Sequence, residues 1–239
     1  MHRFFVKIKN TSQIEIPQET IKHINVLKIK KKENITVFNG DGYDYLCQVQ
    51  EISKKTVELE IQSKKINNTE SNIKIELGQA IIKGNRMDTA IQKAVELGVA
   101  KITPIYSQRC NVKICNDRME NKIEHWQKVV NSACEQCNRS IIPVINKPMQ
   151  LSDWVAIQTQ ATKIVLNPTA DKYMQTSNTS ENIKLLIGSE GGLTQEEIDL
   201  AVSNGFQSIK LGPRILRAET AAIAAITAVQ LKYGDLSSN

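Results

Sequence analysis

Two short stretches hold the residues best suited to grip a ligand. IGSEGGLTQEE, Ile187 to Glu197, runs from an apolar segment through a glycine-rich turn into a helix start. LGPRILRAETA, Leu211 to Ala221, repeats that plan with Pro213 stiffening the turn, then packs Arg214, Arg217 and Glu219 ahead of an alanine-rich helix. Gly188, Gly191 and Gly192 permit positive φ and let a ligand reach the main chain. Thr194 with Glu197 three residues later makes a capping box. Leu185, Leu186 and Ile187 read as a buried parallel strand, and ligands of open α/β sheets bind at the carboxyl ends of such strands.

The chemistry of the first turn is narrowed by what it lacks. A phosphate-binding loop carries a Lys-Ser/Thr pair after its glycines; here none follows, and Glu190 stands in the middle. The G-x-G-x-x-G dinucleotide pattern is absent. A nucleophile elbow fails because Ile187 occupies the place of its first glycine. Two readings remain: a neutral or cationic ligand held by backbone groups, or a plain turn whose glycines serve geometry. The second turn favours a shared pocket, although two arginines and a glutamate at a sheet edge could equally be structural ion pairs.

The elements that must position these turns fall into two parts. The first 65 residues read as strand-rich: HRFFVKI, NITVFNG, DYLCQVQEIS and TVELEIQS, half-buried and antiparallel, with a helix at about Gln18–Leu27 and a tight turn at Asn39–Gly42. This predicts a small β-barrel over residues 1–70. SKKINNTESN reads as a linker, with the boundary near Asn68–Asn72. From Ile73 the texture becomes α/β. IKIELGQAII is a strand, NRMDTAIQKAVELGV a helix stopped at Gly98, and KITPIYS the next strand, a βαβ unit that implies a parallel sheet. A long helix over Arg118–Asn138 follows, then short strands at IIPVI, TKIVLNP, KLLIG and SIKLG, with a polar, mobile loop at DKYMQTSNTSEN. The second domain is predicted as α/β over 73–239.

Composition sets outer bounds. The 239 residues are 41% hydrophobic, enough for a core, and no apolar run approaches a membrane span. The start MHRFFVKIKN has no signal-peptide core, so a soluble, cytoplasmic protein is expected. A net charge of +6 suits a polyanion partner without requiring one. Five cysteines outside a secretory context argue against disulfides. Cys110, Cys115, Cys134 and Cys137 loosely resemble zinc ligands, but the last two sit in a helical pattern, so no metal is expected. His2, His23 and His125 have no evident partners.

At this point the blocks HRFFV (2–6), KAVELGV (93–99), EQCNR (135–139), IGSEGGLTQEE and LGPRILRAETA align in order with a known family. The chain resembles, over nearly its whole length, the bacterial 16S rRNA (uracil-N3)-methyltransferases of the SPOUT class. It departs from them at Ser189 (usually proline), Ala218 (threonine), Cys137 (often serine) and Lys28 (arginine). The resemblance implies an N-terminal PUA-like RNA-binding β-barrel and a C-terminal SPOUT α/β domain with a trefoil knot. It implies S-adenosyl-L-methionine bound by Leu166, Asn167, Ile187, Gly188, Glu190, Gly191, Gly192, Leu211, Gly212, Ile215, Leu216 and Arg217. It also implies a homodimer whose partner is 16S rRNA in the small ribosomal subunit.

Methylating N3 of uracil needs a cofactor that carries an activated methyl and a group that steadies the charge left as the N3 proton departs. Arg217 or Arg139 is the expected cation. Glu219 is a candidate base, with the anchoring of Arg217 or Arg214 as its weightier role. Arg3, Lys28, Lys30–Lys32, Arg86 and Arg109 are candidate RNA contacts, chiefly to phosphate, and the target base must be unpaired or flipped. Competing readings are a SPOUT enzyme acting on another RNA such as tRNA, an inactive RNA-binding protein, and a zinc ribbon.

Overall fold

A computed structural model describes residues 2–10, 13–110, 116–174 and 180–237. The chain forms two compact units, one of Met1–Glu70 with Asn131–Ile142 and one of Ser71–Val130 with Pro143–Asn239.

In the first unit the elements are β1 (Arg3–Phe5), β2 (Lys7–Asn10), β3 (Gln13–Glu15), α1 (Gln18–Val26), β4 (Asn34–Phe38), β5 (Tyr43–Ile52) and β6 (Val57–Ile66). The sheet order is β1-β4-β5-β6, with β2 and β3 pairing separately. HRFFVKI is not one strand. It breaks at Val6, whose N–H bonds Phe38 O, and β1 runs parallel to β4 rather than antiparallel. β6 extends to Ile66 and so takes in the start of the expected linker, with Lys64 Nζ lying 3.7 Å from the Tyr43 ring centroid. Alternation along β5 buries Tyr45, Cys47 and Val49 in one core with Phe4, Ile24 and Ile35.

Residues 131–142, expected in the second domain, belong to this unit because Arg3 binds them. Its guanidinium donates to Cys134 O (2.7 Å), Arg139 O (2.9 Å) and Ser140 Oγ (2.6 Å), and pairs with Asp44 at 3.0 Å. With a side chain only 6% exposed, Arg3 is a brace, not the expected RNA contact. Arg139, expected as the cation of the reaction, is likewise internal. It is 3% exposed and forks onto Glu70 (2.9 and 2.6 Å), so its charge is spent on a buried pair. Lys28 is exposed and has positive φ at the end of α1. Cys134 is buried, and burial pushes its thiol up to about 12.

The second unit contains β7 (Lys74–Ala80), α2 (Asn85–Glu96), β8 (Val99–Tyr106), most of α3 (Asn116–Cys137), β9 (Val144–Ile145), β10 (Met149–Gln150), α4 (Leu151–Ala156), β11 (Thr162–Leu166), β12 (Asn182–Ile187), α5 (Gln195–Ser203), β13 (Gln207–Ile209) and α6 (Ala218–Tyr233). Its sheet is parallel throughout, in the order β10-β8-β7-β12-β11-β13, with β9 on β8. Strands covered on both faces read as continuous apolar runs, which is what Leu185–Ile187 and Ile164–Val165 are. The small residues Ala222 and Ala225 let α6 pack against α2 and β12. Cys115 and residues 175–179 of the polar loop lie outside the described residues. His125 does have a partner, Asp88 Oδ2 at 2.8 Å.

One charged row crosses this apolar sheet. Lys163, Lys184, Glu76 and Lys101 are in register on β11, β12, β7 and β8. Lys184 is 1% exposed, donates to Trp154 O at 2.6 Å and lies 4.1 Å from the Trp154 ring centroid. Trp154 Nε1 donates in turn to Glu76 Oε1 at 3.1 Å. Burial pushes the Lys184 ammonium down to about 8, against the opposing pull of Glu76. The folded value lies below the unfolded one, so between them the unfolded chain binds more protons and stability rises with pH. The cost of the buried charge is complete below about pH 8 and is relieved above it. Lys184→Met removes that dependence. The melting temperature of the wild type, relative to Lys184→Met, is therefore expected to rise between pH 7 and pH 10, and thermal melts across that range check it; a flat or falling difference contradicts the buried-charge account.

Candidate active site

The glycine turn follows β12 without a break. Its backbone folds on itself, with Gly192 N–H donating to Ser189 O at 2.9 Å. A Cβ on Gly188 would meet the Gly192 backbone at 3.0–3.1 Å, and Gly192 has φ +70. The first glycine is required by close approach and the last by conformation. Thr194 then caps α5, and its capping box with Glu197 is complete.

Two loops clasp this turn from outside, each through one carboxylate. Glu190 Oε1 accepts the Lys83 N–H (3.0 Å) and forms an ion pair with Arg86 Nη2 (2.9 Å), holding the segment that enters α2. Glu197, 5% exposed, accepts the Gln108 N–H at 2.7 Å through one oxygen and the Thr194 N–H at 2.9 Å through the other. Arg109 donates to Gly191 O at 3.0 Å and Leu193 O at 3.4 Å, while Ser189 Oγ donates to Arg109 O at 3.1 Å. That last bond comes from Ser189, one of the positions where the chain departs from the family it resembles. Beneath the turn, Gln79 is fully buried and donates to Gly188 O at 3.3 Å.

The ends of β11 and β13 complete the site. Asn167 N–H donates to Ile209 O at 2.8 Å, and its side chain accepts from Thr169 and donates to Ser208 Oγ. The three strand ends surround a cavity of about 460 Å³, within the usual range for a small-molecule site. Leu166, Asn167, Ile187, Gly188, Glu190, Gly191, Gly192, Leu211, Gly212, Ile215 and Leu216 all line it.

Arg217 does not line the cavity; it is exposed at the N-cap of α6. Arg214 and Arg109 do line it. Arg109, expected at RNA phosphate, is exposed and gives one nitrogen, Nη1, to turn carbonyls. Arg86, expected in the same role, is shared with Glu190. Glu190 thus has its charge answered by Arg86, which removes the argument for a cationic ligand drawn from an uncompensated carboxylate. Glu219 is not bonded to Arg214 or Arg217; its Oε2 is buried without a partner among the described residues. No group of His, Cys, Asp or Glu suited to a metal occurs among those residues.

The wall therefore offers backbone groups and apolar side chains, with Glu190 answered by Arg86 and with Arg109, Lys210 and Arg214 among its lining residues. It can hold a small ligand against main chain, and it lacks the Lys-Ser/Thr pair of a phosphate-binding loop. Its rigidity rests on Glu197. Glu197→Ala strands two backbone donors, and such groups cost about 1–3 kcal/mol each when buried. A loss of about 3 kcal/mol is expected, read as a lower urea midpoint at unchanged slope; a loss below about 0.5 kcal/mol contradicts the clasp.

Comparison with known proteins agrees with this geometry. Residues 69–230 match the RNA methyltransferase domain model and residues 16–62 the RNA methyltransferase PUA domain model. The ribosomal RNA small subunit methyltransferase E of Buchnera aphidicola subsp. Schizaphis graminum is 46% identical, covering 89% of this chain and 87% of its own. A methyltransferase from Legionella pneumophila, solved with its cofactor SAM, superposes with a TM-score of 0.93 at 38% identity over 98% of both chains. The ribosomal RNA small subunit methyltransferase E of Neisseria gonorrhoeae, solved with S-adenosyl methionine, gives 0.92 at 35% identity over 99% of both. With the matched model spanning the sheet and all three cavity-forming turns, the chain belongs to the RNA methyltransferase family of the ribosomal small subunit methyltransferase E proteins.

Proposed function

We propose that the protein transfers the methyl group of S-adenosylmethionine to N3 of a uridine in the 16S rRNA of the small ribosomal subunit. The observation that carries this reading is the clasped glycine turn: a cavity for one small ligand, walled by backbone, with its one lining carboxylate neutralised by Arg86. Leu166–Pro168, Ile187–Gly192 and Leu211–Leu216 would hold the cofactor, which supplies a methyl already activated by its sulfonium.

The chain's own task is placement and charge. Uracil N3 must lie in line with the methyl carbon, and positioning of that kind contributes a large share of a transfer barrier. As the N3–C bond forms and the S–C bond breaks, the N3 proton leaves and the sulfonium becomes a neutral thioether. A fixed guanidinium steadies the charge that gathers on the uracil oxygens; Arg217, exposed at the start of α6, is the proposed group. Glu219, with an unpartnered oxygen at the same helix start, is the proposed proton acceptor.

The first unit is read as a PUA-like barrel that binds RNA, with exposed Lys28 and Lys30–Lys32 as phosphate contacts. The second is read as a SPOUT domain knotted through its last three strands. A homodimer and a cytoplasmic location complete the reading. Both rest on the family reading; among the described residues no helix is long and apolar enough to cross a membrane.

The test uses labelled S-adenosylmethionine with small subunits from cells lacking the enzyme, beside naked rRNA and tRNA, with products digested to nucleosides. Label in 3-methyluridine from subunits is expected. Label in tRNA alone overturns the substrate, and no label with any RNA overturns the reaction. Arg217→Ala is expected to lower turnover by about 100-fold with cofactor affinity retained; unchanged turnover removes the arginine from the mechanism.

A further inference from the structure

Arg86 occupies a position that does not serve its own helix. It is the second residue of α2, whose N-cap is Gly84 with no side-chain cap. The first turn of a helix carries partial positive charge, so a guanidinium there is unfavourable unless an anion answers it. Glu190 supplies that anion from the cofactor turn, at 2.9 Å. The same oxygen takes the Lys83 N–H, so one carboxylate holds both the backbone and the side chain of the segment entering α2.

The pair leaves capacity unused. A guanidinium has five N–H donors in a rigid fork, and the contact with Glu190 runs through Nη2. The Arg86 side chain is 44% exposed, and Lys83, Gly84 and Asn85 beside it are exposed as well. The Glu190 contact is an ion pair, and the Arg86 guanidinium has no hydrogen-bond partner among the described residues. A guanidinium with one nitrogen beside a carboxylate and its donors otherwise open can take a second anion, and arginine matches phosphate oxygens well.

We propose that Glu190 is a positioning residue for methyl transfer: it fixes Arg86 so that the guanidinium takes a phosphate of the RNA strand and registers that strand against the cofactor turn. This rests on the RNA methyltransferase reading above. Glu190 belongs to the cofactor turn through its backbone, and its carboxylate, paired with Arg86, transmits register.

Three variants separate these roles, with folding followed by thermal melts. Arg86→Ala is expected to weaken RNA binding and to reduce the slope of log affinity against log salt by about one, the loss of a single phosphate contact. Glu190→Gln keeps an acceptor for the Lys83 N–H and leaves Arg86 charged. It is expected to retain cofactor affinity, RNA affinity and salt slope while kcat falls by at least about tenfold, because the strand is held but no longer registered. Arg86→Lys keeps the charge without the fork and is expected to resemble Glu190→Gln. The double variant Arg86→Ala/Glu190→Gln is expected to turn over no more slowly than Arg86→Ala alone, since the two act as one unit. Wild-type kcat in Glu190→Gln, an unchanged salt slope in Arg86→Ala, or a tenfold or greater loss of cofactor affinity in Glu190→Gln without RNA would each overturn the proposal. If the wild type itself transfers no methyl group to any RNA, the underlying reading fails instead.

Discussion

A turn that packs glycine against its own backbone has few side chains to hold it in place, so its shape depends on how those few reach the loops around it. Two carboxylates do most of this. Glu190 within the turn and Glu197 in the helix that follows each accept a backbone N–H from a different loop, Lys83 after β7 and Gln108 after β8. Hydrogen bonds to a charged acceptor are the strong ones. Through them the ends of three adjacent strands, β8, β7 and β12, become one rigid rim. The cavity between β12, β11 and β13 inherits that rigidity, as a site that must align two reacting atoms requires.

The same economy governs the buried charges. Arginines and lysines in this chain repeatedly bind backbone carbonyls: Arg3 at Cys134 and Arg139, Arg109 at Gly191 and Leu193, Lys184 at Trp154. Each places a cation where an unpaired carbonyl would otherwise be costly. The basic excess that suggests a polyanion partner is therefore partly internal scaffolding. Other lysines and arginines stay exposed, among them Lys28 and Lys30–Lys32 in the first unit and Lys83, Arg86, Arg109, Arg214 and Arg217 in the second.

Much of the site was readable in the sequence because its signals are local. Glycine spacing, the Thr194–Glu197 box and the apolar run before them are contiguous, so the turn, its strand and its helix could be placed together. Eleven of the twelve expected cofactor residues line the cavity. Side-chain partners were not readable, because they are set by tertiary contact. Nothing near Glu190 in sequence announces Arg86, and nothing near Arg3 announces Ser140. Arginine as a residue type suggested phosphate for Arg3 and a catalytic cation for Arg139, but both side chains are buried in internal pairs. Arg217 is the one expected cofactor residue outside the lining; it is exposed at the N-cap position of α6, next to Leu216, which does line the cavity. The strand break at Val6 escaped detection because HRFFVKI keeps strand-forming composition throughout, and only the Phe38 carbonyl reveals the change of partner.

The central claim is that this backbone-walled cavity holds S-adenosylmethionine and not a phosphate-bearing nucleotide. Calorimetric titration of the purified chain with S-adenosylmethionine, ATP and NAD, repeated on Gly188→Val, tests it directly. The account predicts saturable binding of S-adenosylmethionine alone, abolished when a side chain is forced against the Gly192 backbone. Binding of ATP or NAD at comparable affinity, or S-adenosylmethionine binding that survives Gly188→Val in a folded protein, would contradict it.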